Sequence, residues 1–429
     1  MDVNFMCFRR ILIVLIVTLE SMCKSEDCYC LKKLVGDINS PVFVEHDSVN
    51  EKYYVAQQTG VVHIYSKDWK RESKPLVNLT NDVHISNNIW DERGLLSIAL
   101  HPQFHSNKLI FTYSIRLING KEYAVVSKLE IQPDLLKEDI ILAIEQANQK
   151  LNGGQALFGN DGLLYVSIGD GGSLDNKNIS FAQSSSSLLG KILRINVDET
   201  EVVDDHLLFY SIPANNPFVE NTSWRSEIFA LGARNMWRCS VDKGTGYLYC
   251  GDVGDTDTEE INLIKSGKNY GWNIFEGSIA KINRTKNETI DNEGPIYSYP
   301  HGDMGHAVVG GYVYRGKAFS SLFGQYIFGD YVSGKLFRLK LNESNSKYNL
   351  AQCAQNKCPC DARDKPGKFL QSFSTDGEGE LFMLTKQKGE ILKLMPPLSA
   401  VTTCGSCQLL PSVLVLLCTY VIVTMLYSS

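Results

Sequence analysis

Lysines and arginines never run together beyond pairs in these 429 residues, and 42 basic against 48 acidic side chains leave a net charge of −6. A phosphate backbone needs a basic patch, so a nucleic-acid partner is excluded. Helical periodicity is scarce, which excludes a bundle. No Pro/Ser-rich linker interrupts residues from about 28 to about 397, so the body reads as one domain. With 44% hydrophobic and 21% charged residues, that body has the composition of an ordinary folded core.

Basic residues are also missing after the apolar stretch Leu409 to Leu426, where a stop-transfer helix normally keeps them. Residues 398–407 form a short spacer with small residues (Ser399, Ala400, Cys404, Gly405, Ser406) for lipid attachment, and residues 408–429 form the hydrophobic tail. Two readings stand: a GPI signal that is cut off, or a single-pass helix. At the other end, Arg9-Arg10 precede the apolar run Ile11 to Leu19, too brief to span a bilayer, so residues 1–25 read as a secretion signal; an uncleaved anchor is the rival. Either way the body sits outside the cell, held to the membrane.

Cysteine usage agrees with an oxidising compartment. Of the 12, Cys7 lies in the signal, Cys23 near its cut and Cys418 in the tail. Cys239 and Cys250 flank the turn cluster Asp242 to Gly246 between two strand-like runs, so a hairpin disulfide is expected. Cys28 and Cys30 are placed to tie the first segment to the group Cys353, Cys358 and Cys360; a zinc site at Cys358-Pro-Cys360 competes, although structural zinc usually takes two residues between ligands. Sequons at Asn78, Asn178, Asn221, Asn283, Asn287 and Asn342 are glycosylation candidates on exposed loops.

Short strands are what the chain has in abundance. Tyr53 to Gln57, Val61 to Tyr65, Leu109 to Tyr113, Val125 to Leu129, Tyr326 to Asp330 and Leu381 to Leu384 alternate or cluster as strands do, which makes the fold all-β. An Asp/Gly turn followed by an aromatic strand recurs at Phe158 to Val166, Val241 to Tyr249 and Phe373 to Phe382. Such modules repeated through one domain predict a β-propeller, and about 370 residues suit six blades of roughly 60. Closure then requires the first and last segments to share a blade.

One of these modules carries chemistry. Leu151 to Gly172 runs from a turn through the strand Leu163 to Ile168 into a Gly-rich loop holding Asp170. A general base here needs a proton-binding side chain, usually His, and the segment opens with Leu151. His301 and His306, with Asp303 between them, are a candidate metal site or substitute base; two loop histidines more often cap backbone or face water. Asp252, Asp255, Asp257, Glu259 and Glu260 offer oxygens for calcium without the regular spacing of an EF-hand loop. Trp237 and Trp272 read as inter-blade core.

Asp91 to Phe104, Asn152 to Gly172, Leu189 to Asp198, Glu227 to Arg238, Gly251 to Asp255, Glu259 to Ile264, Gly267 to Trp272 and Gly310 to Gly316 together resemble the glucose/sorbosone dehydrogenase superfamily over nearly the whole mature body. Cys28-Tyr-Cys30, Asn235 to Cys239 and Pro300-His301 are most similar to its hedgehog-interacting-protein-like branch. The resemblance implies a six-bladed propeller with pyrroloquinoline quinone (PQQ) and calcium at the mouth of its central channel, and oxidation of an aldose or polyol. It assigns Asp170 to orienting a base whose own position is Leu151, Arg234 and Asn235 to the quinone, and Gly254 and Asp255 to the calcium loop. Glu92 stands where a quinone-contacting Gln is expected, Val332 near an expected Lys, and Gly367 and Phe369 near two expected Arg, with only Lys368 close by. The alternative for Asp170 is an Asx turn, and for Arg234 an anchor for neighbouring carboxylates.

Two functions follow from different classes: a binding propeller for an extracellular protein or glycan, and a PQQ-dependent oxidoreductase. Hedgehog is the partner by analogy. The relative that captures it carries a long acidic loop after the Gly-Asp-Gly turn, where this chain has Ser173 to Ile179 with Asp175 as its only carboxylate.

Overall fold

The computed structural model describes residues 29–398 except 134, 173–180, 204–205, 282–291, 343–346, 353–359 and 361–363. The expected signal, spacer and tail, the Ser173 to Ile179 loop, the sequons at Asn178, Asn283 and Asn287, and Cys28, Cys353 and Cys358 lie outside the described residues, as does the Asn342 side chain. Asn221 is exposed on a loop, and Asn78 is exposed at the end of a strand rather than on a loop.

Six four-stranded antiparallel sheets make up the body. Blade 1 contains Pro41–Asp47, Lys52–Gln57, Val61–Ser66 and Val77–Asn78; blade 2 contains Leu95–Leu100, Leu109–Ile118, Lys121–Ile131 and Leu136–Glu145. Blade 3 is Gly153–Phe158, Leu164–Ile168, Lys191–Ile195 and Ile228–Leu231, and blade 4 is Met236–Val241, Leu248–Asp252, Thr258–Ile264 and Tyr297–Pro300. Val308–Val313, Tyr326–Asp330, Leu336–Asn342 and Lys347–Gln352 form blade 5. Leu370–Thr375, Leu381–Thr385 and Glu390–Met395 form blade 6, and the chain's first strand, Cys30–Val35, pairs with Glu390–Met395 to complete it. Each blade's first strand touches those of its two neighbours, so the six close into a ring. The expected six-bladed propeller is what forms.

Burial explains why the ring is stable. Val55, Leu96, Phe111, Val166, Phe328 and Leu392 are fully or almost fully buried where adjacent blades meet, and each such side chain contributes about 1.5–3 kcal/mol by leaving water. Closure is locked covalently, since Cys30 on the outermost strand of blade 6 is joined to Cys360 between blades 5 and 6. The zinc alternative at Cys360 is thereby corrected: its sulfur is committed to a disulfide. Cys239 and Cys250 face each other across blade 4 and form the expected second bridge.

The innermost strands share one irregularity. A bulge near the start of each leaves one residue out of register, namely Val42, Leu96, Gly154, Trp237, Val309 and Gln371. Such bulges bend a strand and leave backbone groups without a ladder partner. Arg238 fills that need: its guanidinium donates to the carbonyls of Val42, Leu96, Gly154 and Trp237 at 2.9–3.1 Å and to Ser372 Oγ at 2.9 Å. Trp237 Nε1 donates to a fifth, Gln371 O, at 3.0 Å. Arg238 is only 1% exposed, and burial pushes its pKa down to about 9, so it stays protonated at neutral pH. It crosses the channel and separates an upper mouth, where the inner strands begin, from a lower one, where they end.

Candidate active site at the upper mouth

The upper mouth holds a cavity of about 170 Å³ walled by Trp90, Glu92, Asn235, Val253, Tyr331 and Lys386. Beside it the residues singled out from the sequence come together. Glu92 Oε2 accepts the Leu151 N–H at 3.0 Å, and Leu151 O accepts from Gly171 N at 3.1 Å. Those two bonds hold Leu151 at φ 60°, a left-handed conformation that is unusual for a bulky side chain. Asn235 Oδ1 accepts the Gly153 N–H at 2.9 Å, and Asp170 N donates to Arg234 O at 2.8 Å. Blades 3 and 4 are thus stitched through the candidate residues themselves.

Asp170 does two things at once. Its Oδ1 accepts the Gly172 N–H at 2.9 Å, which is the expected Asx turn, while Oδ2 accepts the indole N–H of Trp272. Burial nonetheless raises its pKa above the usual carboxylate range. Behind it, Lys191 Nζ donates to the carbonyls of Phe181, Ala182 and Leu189 at 2.8–3.0 Å, and burial pushes its pKa down to about 7. The placement of Trp272 in the inter-blade core is corrected: it is partly exposed, bonded to Asp170, and its ring lies 5.2 Å from the Arg234 guanidinium. Trp237 is core, as expected.

Arg234 is committed to its own blade. Nη1 donates to Val253 O at 3.0 Å and Gly254 O at 2.6 Å, and Nη2 to Asp255 Oδ1 at 2.9 Å; only Nε is buried without a partner. The acidic stretch is dispersed rather than convergent. Asp252 accepts the N–H groups of Arg234 and Asn235, Glu259 faces His301 Nε2 at 2.6 Å, and Glu260 accepts from Asn262 and Gly277. Glu276, which sequence reasoning missed, takes the N–H groups of Asp255, Thr256, Asp257 and Thr258 on one oxygen and Lys281 on the other. His301 and His306 lie with ring centres 5.3 Å apart, and among the described residues no group of three or more His, Cys, Asp or Glu is arranged to hold a metal ion.

These donors do not fit a trianionic quinone with calcium. Gly254 O, where the resemblance places a calcium ligand, already accepts a guanidinium, and Asp255 is shared between Arg234 and Lys281. Glu92 brings a carboxylate to the cavity wall, with its pKa raised by burial. Val332 and Phe369 bring apolar surface where cations are expected, while Lys368 is exposed. The added cation is Lys386, which the sequence gave no reason to single out; burial pushes it down to about 8 and it leans on Asp91 O at 3.3 Å. Around the opening, Trp90 meets Tyr331 and Phe369 edge-on with ring centres 5.9 and 4.9 Å away, and Trp90 is 54% exposed. The rim is aromatic, not cationic.

Comparison with known proteins fits this mixture. The glucose/sorbosone dehydrogenase family profile matches residues 45–393. The chain is 33% identical to the HIPL2 protein of Arabidopsis thaliana over 85% of its length and 63% of that relative. It is 28% identical to the hedgehog-interacting protein of Homo sapiens over 86% of its length and 53% of that relative, so it spans about half to two-thirds of these relatives. Among solved structures, the PQQ-bound aldose sugar dehydrogenase of Streptomyces coelicolor superposes with a TM-score of 0.62 at 20% identity, covering 86% of this chain and 98% of that one. The chain belongs to the glucose/sorbosone dehydrogenase family, together with its hedgehog-interacting-protein-like relatives.

Proposed function

We propose that the protein is a binding propeller that presents its upper mouth to an extracellular ligand, protein or glycan, and keeps the dehydrogenase scaffold without its chemistry. The observation that carries this is the rim: Trp90, Tyr331 and Phe369 cluster around an opening whose base position is Leu151. Exposed aromatic side chains supply large contact area at low entropic cost, and they stack on sugar rings as readily as they pack against apolar side chains. The two disulfides suit an extracellular compartment, and attachment through a GPI tail belongs to the same proposal. Among the described residues no helix is long and apolar enough to cross a membrane.

A hedgehog signalling domain is the first protein probe, because one relative is named for interacting with it. Binding of that domain and of a glycan array to the immobilised protein tests the proposal. A ligand captured by the wild type and lost at least tenfold in Trp90→Ala supports it; equal capture by both, or none by either, overturns the assignment to this mouth. The second reading, a PQQ-dependent oxidoreductase for an aldose or polyol, is supported by one observation: Asp170 N donates to Arg234 O at 2.8 Å, which keeps the two next to Asn235 on the cavity wall.

A further inference from the structure

The lower mouth has a chemistry of its own. Below Arg238 lies a cavity of about 260 Å³ walled by Phe43, Glu45, His46, Tyr312, Ser374 and Asp376, with Ser240 deeper on the wall. Its polar lining accepts more than it donates. Ser240 Oγ donates to Gly311 O at 2.7 Å and Ser374 Oγ donates to Val44 O at 2.6 Å, so each hydroxyl oxygen has only lone pairs left to offer. Glu45 adds a carboxylate that makes no hydrogen bond or ion pair with another described residue, and its burial pushes its pKa up to about 8. His46 Nδ1 is buried without a partner.

We propose that this cavity binds a small organic cation, a primary ammonium on a short aliphatic body, with the Glu45 carboxylate as counter-ion. An ammonium brings three donors, which Glu45 and the Ser240 and Ser374 oxygens match. A metal ion is a poorer occupant, since among the described residues no metal-holding cluster of His, Cys, Asp or Glu forms. An anion would meet Glu45 and Asp376. The other charged or titratable groups here are of both signs: Asp376 already accepts the N–H groups of Glu378 and Glu380, Arg238 closes the top with its donors taken by carbonyls and Ser372, Lys243 is exposed at the rim and its charge favours the ionised Glu45, His46 loses basicity on burial, and Tyr312 is pushed well above neutral pH. The proposal does not depend on what the upper mouth binds.

Calorimetric titration of the purified full-length protein with n-butylammonium tests it, with n-pentanol as the uncharged isostere. One saturable site for the ammonium, none for the alcohol and at least a tenfold loss in Glu45→Gln are expected, while Lys121→Ala, an exposed position on blade 2, binds normally. Because the cation displaces a proton from Glu45, affinity rises between pH 6 and pH 8, and binding at pH 7 releases protons into the buffer. Equal binding by Glu45→Gln, or no saturable heat at any of these pH values, overturns the proposal. Should that variant fail to fold, wild-type binding of n-pentanol as tight as that of n-butylammonium overturns it as well.

Discussion

Asp170 accepts the indole N–H of Trp272, a residue 102 positions further along the chain, on the carboxylate that the family resemblance assigns to orienting a base. That carboxylate is part of a closed arrangement: Gly172 on one oxygen, Trp272 on the other, Arg234 packed over the indole. Trp272→Phe removes one donor from a buried carboxylate whose pKa burial already raises. A loss of about 1–3 kcal/mol in urea unfolding is expected, with the Asp170 pKa moving further up in an NMR titration. An unchanged pKa would show that the contact does not act on the carboxylate.

Restoring the expected base alone is not expected to produce sugar oxidation. Leu151→His places an imidazole at a position held by Glu92 and Gly171, but leaves Val332, Phe369 and the Glu92 carboxylate where the cofactor needs cations or an amide. Dye reduction by this variant, supplied with PQQ, calcium and glucose, is expected to remain at background. A general base contributes roughly 10²- to 10⁴-fold where the rest of a site is present, so a rise of that size would mean the cofactor site is intact.

Arg238 carries much of the ring's internal order. Arg238→Met removes the donors that four bulge carbonyls share, in a place with little room for water. A destabilisation of about 3–5 kcal/mol is expected in chemical denaturation, the range seen when buried charged or polar networks are broken. A change below about 0.5 kcal/mol, the level of ordinary surface substitutions, would show that the channel rehydrates freely.

Much of the fold was legible beforehand because propeller strands announce themselves by alternation and by Asp/Gly turns such as Asn160-Asp161-Gly162. The Cys239–Cys250 bridge was legible for the same reason, since a hairpin fixes its own geometry. Trp272, Glu276 and Lys386 were not. Each gains its role from a partner on a separate segment: Trp272 from Asp170, Glu276 from the amides of residues 255–258, Lys386 from Asp91. No local pattern encodes that kind of contact.

Blade 4 makes stability depend on pH. Asp252 and Glu260 are both buried, Glu259 is fully buried beside them, and desolvation raises all three carboxyl pKa values above the unfolded ones. Groups raised in this way bind protons more tightly when folded, so their contribution is complete below the unfolded values and is lost as pH rises through the folded ones. Urea midpoints are expected to fall from about pH 5 to pH 8, less steeply in Glu260→Gln. A midpoint that rises over this interval would contradict the assignment.

The central claim is that the upper mouth keeps the shape of a quinone site without its charges. Equilibrium titration of the purified protein with PQQ in excess calcium, followed by absorbance, tests this most directly. The account predicts no saturable change up to about 100 µM, a range in which binding would be weaker than about −5.5 kcal/mol. Stoichiometric binding below about 1 µM, abolished in Arg234→Ala, would contradict it.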